Sequence, residues 1–174
     1  PQNHDREQRF LRTLRDLCHL FASERDATRL PPLVLDAAIE LTEAERGFLV
    51  KVEGKKPDGG WRFKVEVARG FDKVALKAAQ AHFSKTVVRR VVERGAGLVT
   101  TRDGGDDGDV LQLSSVAGKR IVAIVCVPLV LRGETRGVLY LDHRFVADAF
   151  HEADLPMLQT FADQAALALE TVEL

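Results

Sequence analysis

The strongest fold signal in the sequence is IVAIVCVPLVLRGETRGVLYLD, residues 121–142. Its first half, residues 121–131, is continuously apolar, and a turn at Arg132, Gly133 and Glu134 separates it from a second apolar run at residues 137–141. This pattern predicts a β-hairpin. Because the first strand carries no charged residue, both of its faces need cover. The hairpin is therefore predicted to form the centre of a sheet.

Upstream, apolar and polar residues alternate over residues 48–52 and again over residues 61–68, on either side of a Gly-, Lys- and Asp-rich turn. This period of two predicts a second hairpin with one solvated face. Residues 98–101 predict a further short strand.

In the remainder of the chain, apolar residues recur three or four positions apart, which predicts helices. Pro31 and Pro32 fit only in the first turn of a helix, and Asp154 before Pro156 predicts an N-cap preceded by a single turn. Two separated hairpins without β-α-β alternation predict an antiparallel sheet with helices on its faces, an α+β fold. The predicted helices carry apolar stripes within residues 10–21, 34–41, 73–82, 87–92 and 158–172.

Four stretches in this order resemble a bacterial GAF domain, and the resemblance runs from about residue 10 to the end. They are AERGFL at 44–49, SKTVVRRVVERG at 84–95, VCVPL followed by GVLYLD at 125–142, and FADQAALALE at 161–170. The resemblance implies a GAF-like fold with a central six-stranded antiparallel sheet. It also implies that the terminal helices lie on one face and a small-molecule pocket on the other.

The segments YLDHRF and DLPMLQTFADQAALALE look most like GAF modules of sigma-54-dependent transcriptional activators or sensor kinases. His151 and Pro156 depart from the family pattern, which has Ser or Thr at the first position and no proline. We expect a single GAF domain over residues 1–174, with a core of about 25–172, an N-terminal amphipathic helix at 1–24 and a C-terminal signalling helix at 152–174. Since the chain starts at Pro1 and its final stripe has no stop signal, we expect a piece of a longer protein.

Composition excludes several classes of function. Among 174 residues, 25 Lys and Arg stand against 26 Asp and Glu, a net charge of -1, which gives no overall basic field for nucleic acid or anionic lipid. The longest apolar run, residues 121–131, is too short to span a membrane, and no signal peptide precedes it. A cytoplasmic location without membrane or direct nucleic-acid contact is expected.

Catalytic and metal motifs are absent from the sequence: no GxSxG, HExxH, P-loop or GxGxxG occurs. Some GAF domains are free methionine sulfoxide reductases with a nucleophilic and a resolving cysteine, but Cys126 lies in the most apolar strand, where a thiolate is disfavoured. We expect no enzymatic activity and regard a redox enzyme as the least favoured alternative. The five histidines are scattered, and the aspartates of residues 103–109 lack the spacing of a calcium loop.

No cofactor is identified. The cyclic-nucleotide signature of the family needs Asn residues that this chain lacks beyond Asn3, and bilin attachment needs an accessible cysteine. His143 and His82 are candidate haem or ligand contacts, although surface or loop positions are the favoured explanation of both. Haem, bilin, cyclic nucleotide and metal are thus not indicated.

The remaining possibilities are a small molecule that binds non-covalently and no ligand at all. A helix N-terminus at Ser115 with Arg120 nearby would suit a carboxylate or phosphate, while ordinary capping and surface charge explain the same residues. The residues predicted to contact a ligand are Arg69, Phe71, Thr101, Asp103, Ser114, Ser115, Arg120 and His143.

The terminal helices suggest a homodimer, because the first helix has apolar residues on more than one face. The alternative is that each stripe only covers the sheet. The predicted dimer contacts are Phe10, Leu14, Leu17, Phe21, Leu169 and Val172. The preferred interpretation is a small-molecule-sensing input domain linked to an output domain, and the runner-up is a dimerisation or interaction module without a ligand.

Overall fold

The computed structural model describes residues 2–70, 85–101 and 121–173. Within these ranges it contains four α-helices, five β-strands and one 3-10 turn, in an order that matches the sequence prediction. The elements are α1 (Gln2–Ser23), α2 (Leu30–Thr42), β1 (Arg46–Lys55), β2 (Trp61–Arg69), α3 (Lys85–Arg94), β3 (Leu98–Thr101), β4 (Ala123–Leu131), β5 (Glu134–His143), the 3-10 turn (Glu152–Asp154) and α4 (Leu155–Glu173).

The strands form one antiparallel sheet in the order β2-β1-β5-β4-β3. The hairpin β4-β5 is central, as predicted. All seven residues 123–129 of β4 are buried, and Ile121 just before the strand is buried as well. Over the described residues the sheet has five strands, whereas the resemblance implies six. The α+β class and the antiparallel sheet are confirmed.

Helices cover both faces of the sheet, which makes three layers. On one face, Val125 and Leu141 pack with side chains of α1, α2 and α4, while on the other face Cys126 and Tyr140 pack with the four valines of α3. This alternation follows from the strand period of two and explains why β4 is apolar throughout.

The local signals at helix starts are confirmed. Helix α2 carries both prolines in its first turn. Helix α4 begins at Leu155, directly after Asp154 and the single 3-10 turn, because Pro156 supplies no N–H and is tolerated only at a helix start.

Candidate functional site

A buried ion pair lies at one end of the sheet, on the face covered by α3. Arg46 begins β1 and Asp142 lies near the end of β5, and the antiparallel register places them opposite each other. The Arg46 Nε donates to Asp142 Oδ1 at 2.7 Å, and Nη2 donates to Oδ2 at 2.8 Å. Their side chains are 4% and 1% exposed. Two parallel hydrogen bonds of this kind fix the guanidinium in one orientation.

The buried pair has polar and aromatic neighbours on the same face. Ile124 and Thr100 continue its row across β4 and β3, and Thr100 is buried as well. The next row places Phe48 beside Tyr140, with ring centroids 5.7 Å apart. The ion pair, Thr100 and the two rings thus lie together, all buried, on the α3 side of the sheet.

A second pair lies beside the first, nearer the surface. The Arg144 guanidinium donates to the Glu45 carboxylate at 2.8 and 3.1 Å, and the Arg144 backbone N–H donates to the same carboxylate at 3.2 Å. These hydrogen bonds lower the pKa of Glu45 below its ordinary value and raise that of Arg144. These hydrogen bonds hold the residue before β1 against the segment that follows β5.

The Glu45 pair predicts a pH-dependent part of stability. Because the pKa of Glu45 is lower in the folded state, its contribution is complete above the unfolded pKa of about 4.3 and is lost as the pH falls below it. Glu45→Gln is expected to cost about 1 kcal/mol at pH 7, a value kept small because Arg144 is partly exposed, and much less at pH 3. Urea unfolding at both pH values measures this, and an equal cost at pH 7 and pH 3 would contradict it.

The predicted ligand residue His143 has a structural partner. Its Nδ1 accepts hydrogen bonds from the backbone N–H groups of Phe145 and Val146, both at 3.1 Å. The ring thereby shapes the turn after β5. A ligand or haem contact through Nδ1 would have to replace these two hydrogen bonds.

Thr101 and His143 lie on either side of Ala123 in the sheet. Ala123 packs into the core under α1, α2 and α4, so this row faces away from α3. Arg69 also turns away from α3, since its Nε donates to Asp36 of α2 at 2.8 Å. These three residues therefore do not lie on the α3 face, where the pocket was predicted, and their contact with a ligand stays a prediction.

The other predicted ligand contacts lie outside the described residues. The same holds for His82 and for the predicted helix at 73–82. Their roles stay predictions. The ligand contacts in question are Phe71, Asp103, Ser114, Ser115 and Arg120.

The two cysteines lie on opposite faces of the sheet. Cys18 on α1 packs against the core under the terminal helices, while Cys126 on β4 is fully buried on the α3 side. Burial raises the pKa of both thiols, most strongly that of Cys126. A nucleophilic thiolate is therefore disfavoured at both positions.

The predicted dimer contacts pack mainly inside one chain, and their role in a dimer stays a prediction. Leu14 and Phe21 are buried, and Phe21 packs edge-on against Phe161 of α4 at 5.7 Å. Phe10, Leu17, Leu169 and Val172 pack against the same core.

Other apolar side chains of the terminal helices face solvent. Leu11 and Leu20 on α1 are 54% and 44% exposed, and Leu167 on α4 is 52% exposed. Leu167 borders a groove of about 450 Å³ between the two helices, together with Cys18 and Ala22. Leu11 lies on the same side of α1 as Cys18 and Ala22, whereas Leu20 faces the opposite way. The groove with Leu11 and Leu167 is the surface that a second copy is able to contact.

Sequence reasoning missed the Arg46–Asp142 pair. Both residues stand in the stretches that carry the family resemblance, but nothing in either stretch shows that they pair. The available signal is a charged residue directly beside the apolar run of each strand, residues 47–50 of β1 and 137–141 of β5. Within the described ranges, no group of three or more His, Cys, Asp or Glu side chains is placed to hold a metal ion. None of the helices in these ranges has the length and apolar content to cross a bilayer.

Comparisons with known proteins agree with this architecture. A family model described as "GAF domain" matches residues 24–170. The GAF domain of an Acinetobacter phosphoenolpyruvate-protein phosphotransferase superposes with a TM-score of 0.69 at 15% identity, covering 94% of this chain and 93% of that chain.

Two further solved structures are similar. The GAF domain of A. aeolicus nlh2 in an inactive state gives a TM-score of 0.63 at 12% identity, with 95% of this chain and 98% of that chain covered. The GAF-B domain of DevS from Mycobacterium smegmatis gives 0.59 at 20% identity, with 85% and 96% covered. Among curated proteins no match was found. At these identities the structural likeness establishes the fold.

Proposed function

Given that this chain belongs to the GAF domain family, we propose that it is a sensory input domain of a bacterial multidomain signalling protein. A small molecule on the α3 side of the sheet, or the dimer state, biases an attached output domain, either the ATPase of a sigma-54-dependent activator or a kinase. The domain acts in the cytoplasm, has no catalytic activity of its own and makes no direct contact with nucleic acid or membrane.

The observation that carries this proposal is the attachment of α4 to the central hairpin. Gln159 Nε2 donates to the Pro128 carbonyl at 3.0 Å, and Arg132 Nη1 donates to Glu170 Oε1 at 2.8 Å near the end of α4. Side chains of the same strand, β4, pack alternately under α4 and under α3. A change of sheet geometry on the α3 side therefore displaces α4.

The cysteines support the assignment of a binding role over catalysis. A sulfoxide reductase of this family needs a thiolate and a second thiol close to it. Here the sheet separates Cys18 from Cys126, and burial raises the pKa of both.

A thermal-shift screen against small metabolites tests the sensory role. A ligand at one hundred times its dissociation constant stabilises the folded state by about 2.7 kcal/mol, which corresponds to roughly 5–10 °C for a domain of this size. We expect at least one metabolite to produce such a shift. The exposed double variant Arg12→Glu, Arg15→Glu on α1 serves as the control and should keep the shift.

If no metabolite moves the melting temperature, the second candidate function gains support. This is a dimerisation or interaction module without a ligand. The exposed leucines 11, 20 and 167 on the terminal helices favour it specifically.

A further inference from the structure

A cleft with an excess of positive charge lies at the open edge of the sheet, far from the Arg46–Asp142 pair along β1. It has a volume of about 740 Å³ and runs between the β1-β2 hairpin and the start of α3. Among the described residues that line it, Glu53 is the only acidic one, against five basic ones, although the whole chain has a net charge of -1. We call these five residues the basic cleft: Lys56, Arg62, Lys64, Lys85 and Arg89.

The charges of the basic cleft are not neutralised locally. Within residues 2–70, 85–101 and 121–173, no ion pair joins any of the five to a carboxylate. All five are exposed on the hairpin and α3. Nearby, the Lys55 Nζ lies 4.9 Å from the centre of the Trp61 ring. Unpaired like charges around one cleft repel each other and attract an anionic partner.

The second observation is the strand edge itself. Strand β2 is the last strand on its side of the sheet and pairs only with β1 among the described residues. Its outer backbone N–H and C=O groups are directed to the side where a further strand would add. Nine residues of edge, Trp61–Arg69, accept an extended segment of about 30 Å.

The side chains of β2 alternate in a way that defines the partner. Trp61 and Phe63 are half-buried toward α3, while Arg62 and Lys64 are exposed on the other face. In an added strand, apolar side chains would pair with the two rings and acidic side chains with the two cations. A second copy of the same edge is a poor partner, because it would bring the five cations of one copy against those of the other.

We propose that the β2 edge and the basic cleft bind an extended acidic polypeptide segment in which acidic and apolar residues alternate. The segment adds to the sheet as a strand, through backbone hydrogen bonds to β2. This interaction surface lies at the hairpin end of the α3 side, away from the Arg46–Asp142 pair, and is separate from the dimer surface on α1 and α4. A single-stranded nucleic acid also suits cations and aromatic rings, but it cannot continue a backbone hydrogen-bond ladder.

Trp61, the only tryptophan of the chain, reports binding directly. The probe is the nonapeptide acetyl-EVEVEVEVE-amide, titrated at low salt while Trp61 fluorescence is recorded. Saturable binding is expected, with at least tenfold weaker binding of the same peptide N-methylated at alternate residues. The peptide acetyl-KVKVKVKVK-amide is expected not to bind.

The double variant Arg62→Glu, Lys64→Glu should weaken binding of the acidic peptide at least tenfold. The double variant Arg12→Glu, Arg15→Glu on α1 changes the net charge equally and should bind like the unaltered chain. Absence of a saturable signal, equal weakening in both variants, or equal binding of the N-methylated peptide would overturn the proposal. Tighter binding of a nine-nucleotide oligo-dT than of the acidic peptide would overturn it in favour of nucleic acid.

Discussion

Asp142→Asn is expected to lower the free energy of unfolding by about 3–5 kcal/mol. The substitution preserves the shape of the side chain but removes its charge, so the almost fully buried Arg46 guanidinium loses the carboxylate that accepts two of its hydrogen bonds. An uncompensated buried charge costs much more than the net contribution of the pair it came from. Equilibrium unfolding in urea at pH 7 measures the loss.

Two further variants locate the cause of this loss. Asp36→Asn removes the partner of Arg69 in a pair that is about half-exposed, and it should cost less than about 1 kcal/mol. The double variant Arg46→Met, Asp142→Leu removes both charges and should recover part of the stability lost in Asp142→Asn. A cost for Asp142→Asn no larger than that for Asp36→Asn would contradict the buried ion pair.

Leu167→Glu is expected to weaken self-association at least tenfold, and up to about a hundredfold, because an interface with twofold symmetry contains each substitution twice. Leu167 is half-exposed on α4 beside the groove between the terminal helices, so the substitution spares the monomer core. Sedimentation velocity over a range of concentrations measures the dissociation constant.

Phe145→Glu is the matched control for this experiment. Phe145 is 75% exposed and lies in the turn after β5, outside both terminal helices, so its variant should associate like the unaltered chain. A monomer at high concentration without any substitution, or equal weakening by both variants, would contradict association through the terminal helices.

The sequence was informative where structure depends on neighbouring residues. The apolar run of β4 and its turn predicted the central hairpin, and Pro31 and Asp154 predicted two helix starts, because strand period and helix capping act within a few residues. The order of the elements followed from the same local signals.

Positions that depend on distant contacts were not predictable. The Arg46–Asp142 pair joins residues 96 apart and forms only because β1 pairs with β5 in one particular register. Dependence on distant contacts also explains the position of the α1 side chains. The stripe of Phe10 and Phe21 was correctly identified as apolar, but it packs against α4 inside the chain. The exposed leucines beside this stripe are therefore the residues available for the proposed self-association.

The predicted ligand residues show a related limit. Arg69 and Thr101 were placed near the pocket because they end strands, and both do lie at one end of the sheet. Their side chains point away from α3 because an odd or even position in the strand decides the face. A shift of one residue in the assumed register is enough to exchange the two faces.

Native mass spectrometry of the freshly purified chain can test whether the domain is dimeric and whether it retains a ligand. One spectrum reports both oligomeric state and bound small molecules. We predict a species of twice the chain mass that carries additional mass, which is lost under denaturing conditions. A spectrum with only the bare chain mass, under conditions that preserve a known weak dimer measured in parallel, would contradict the proposal of a ligand-sensing dimeric input domain.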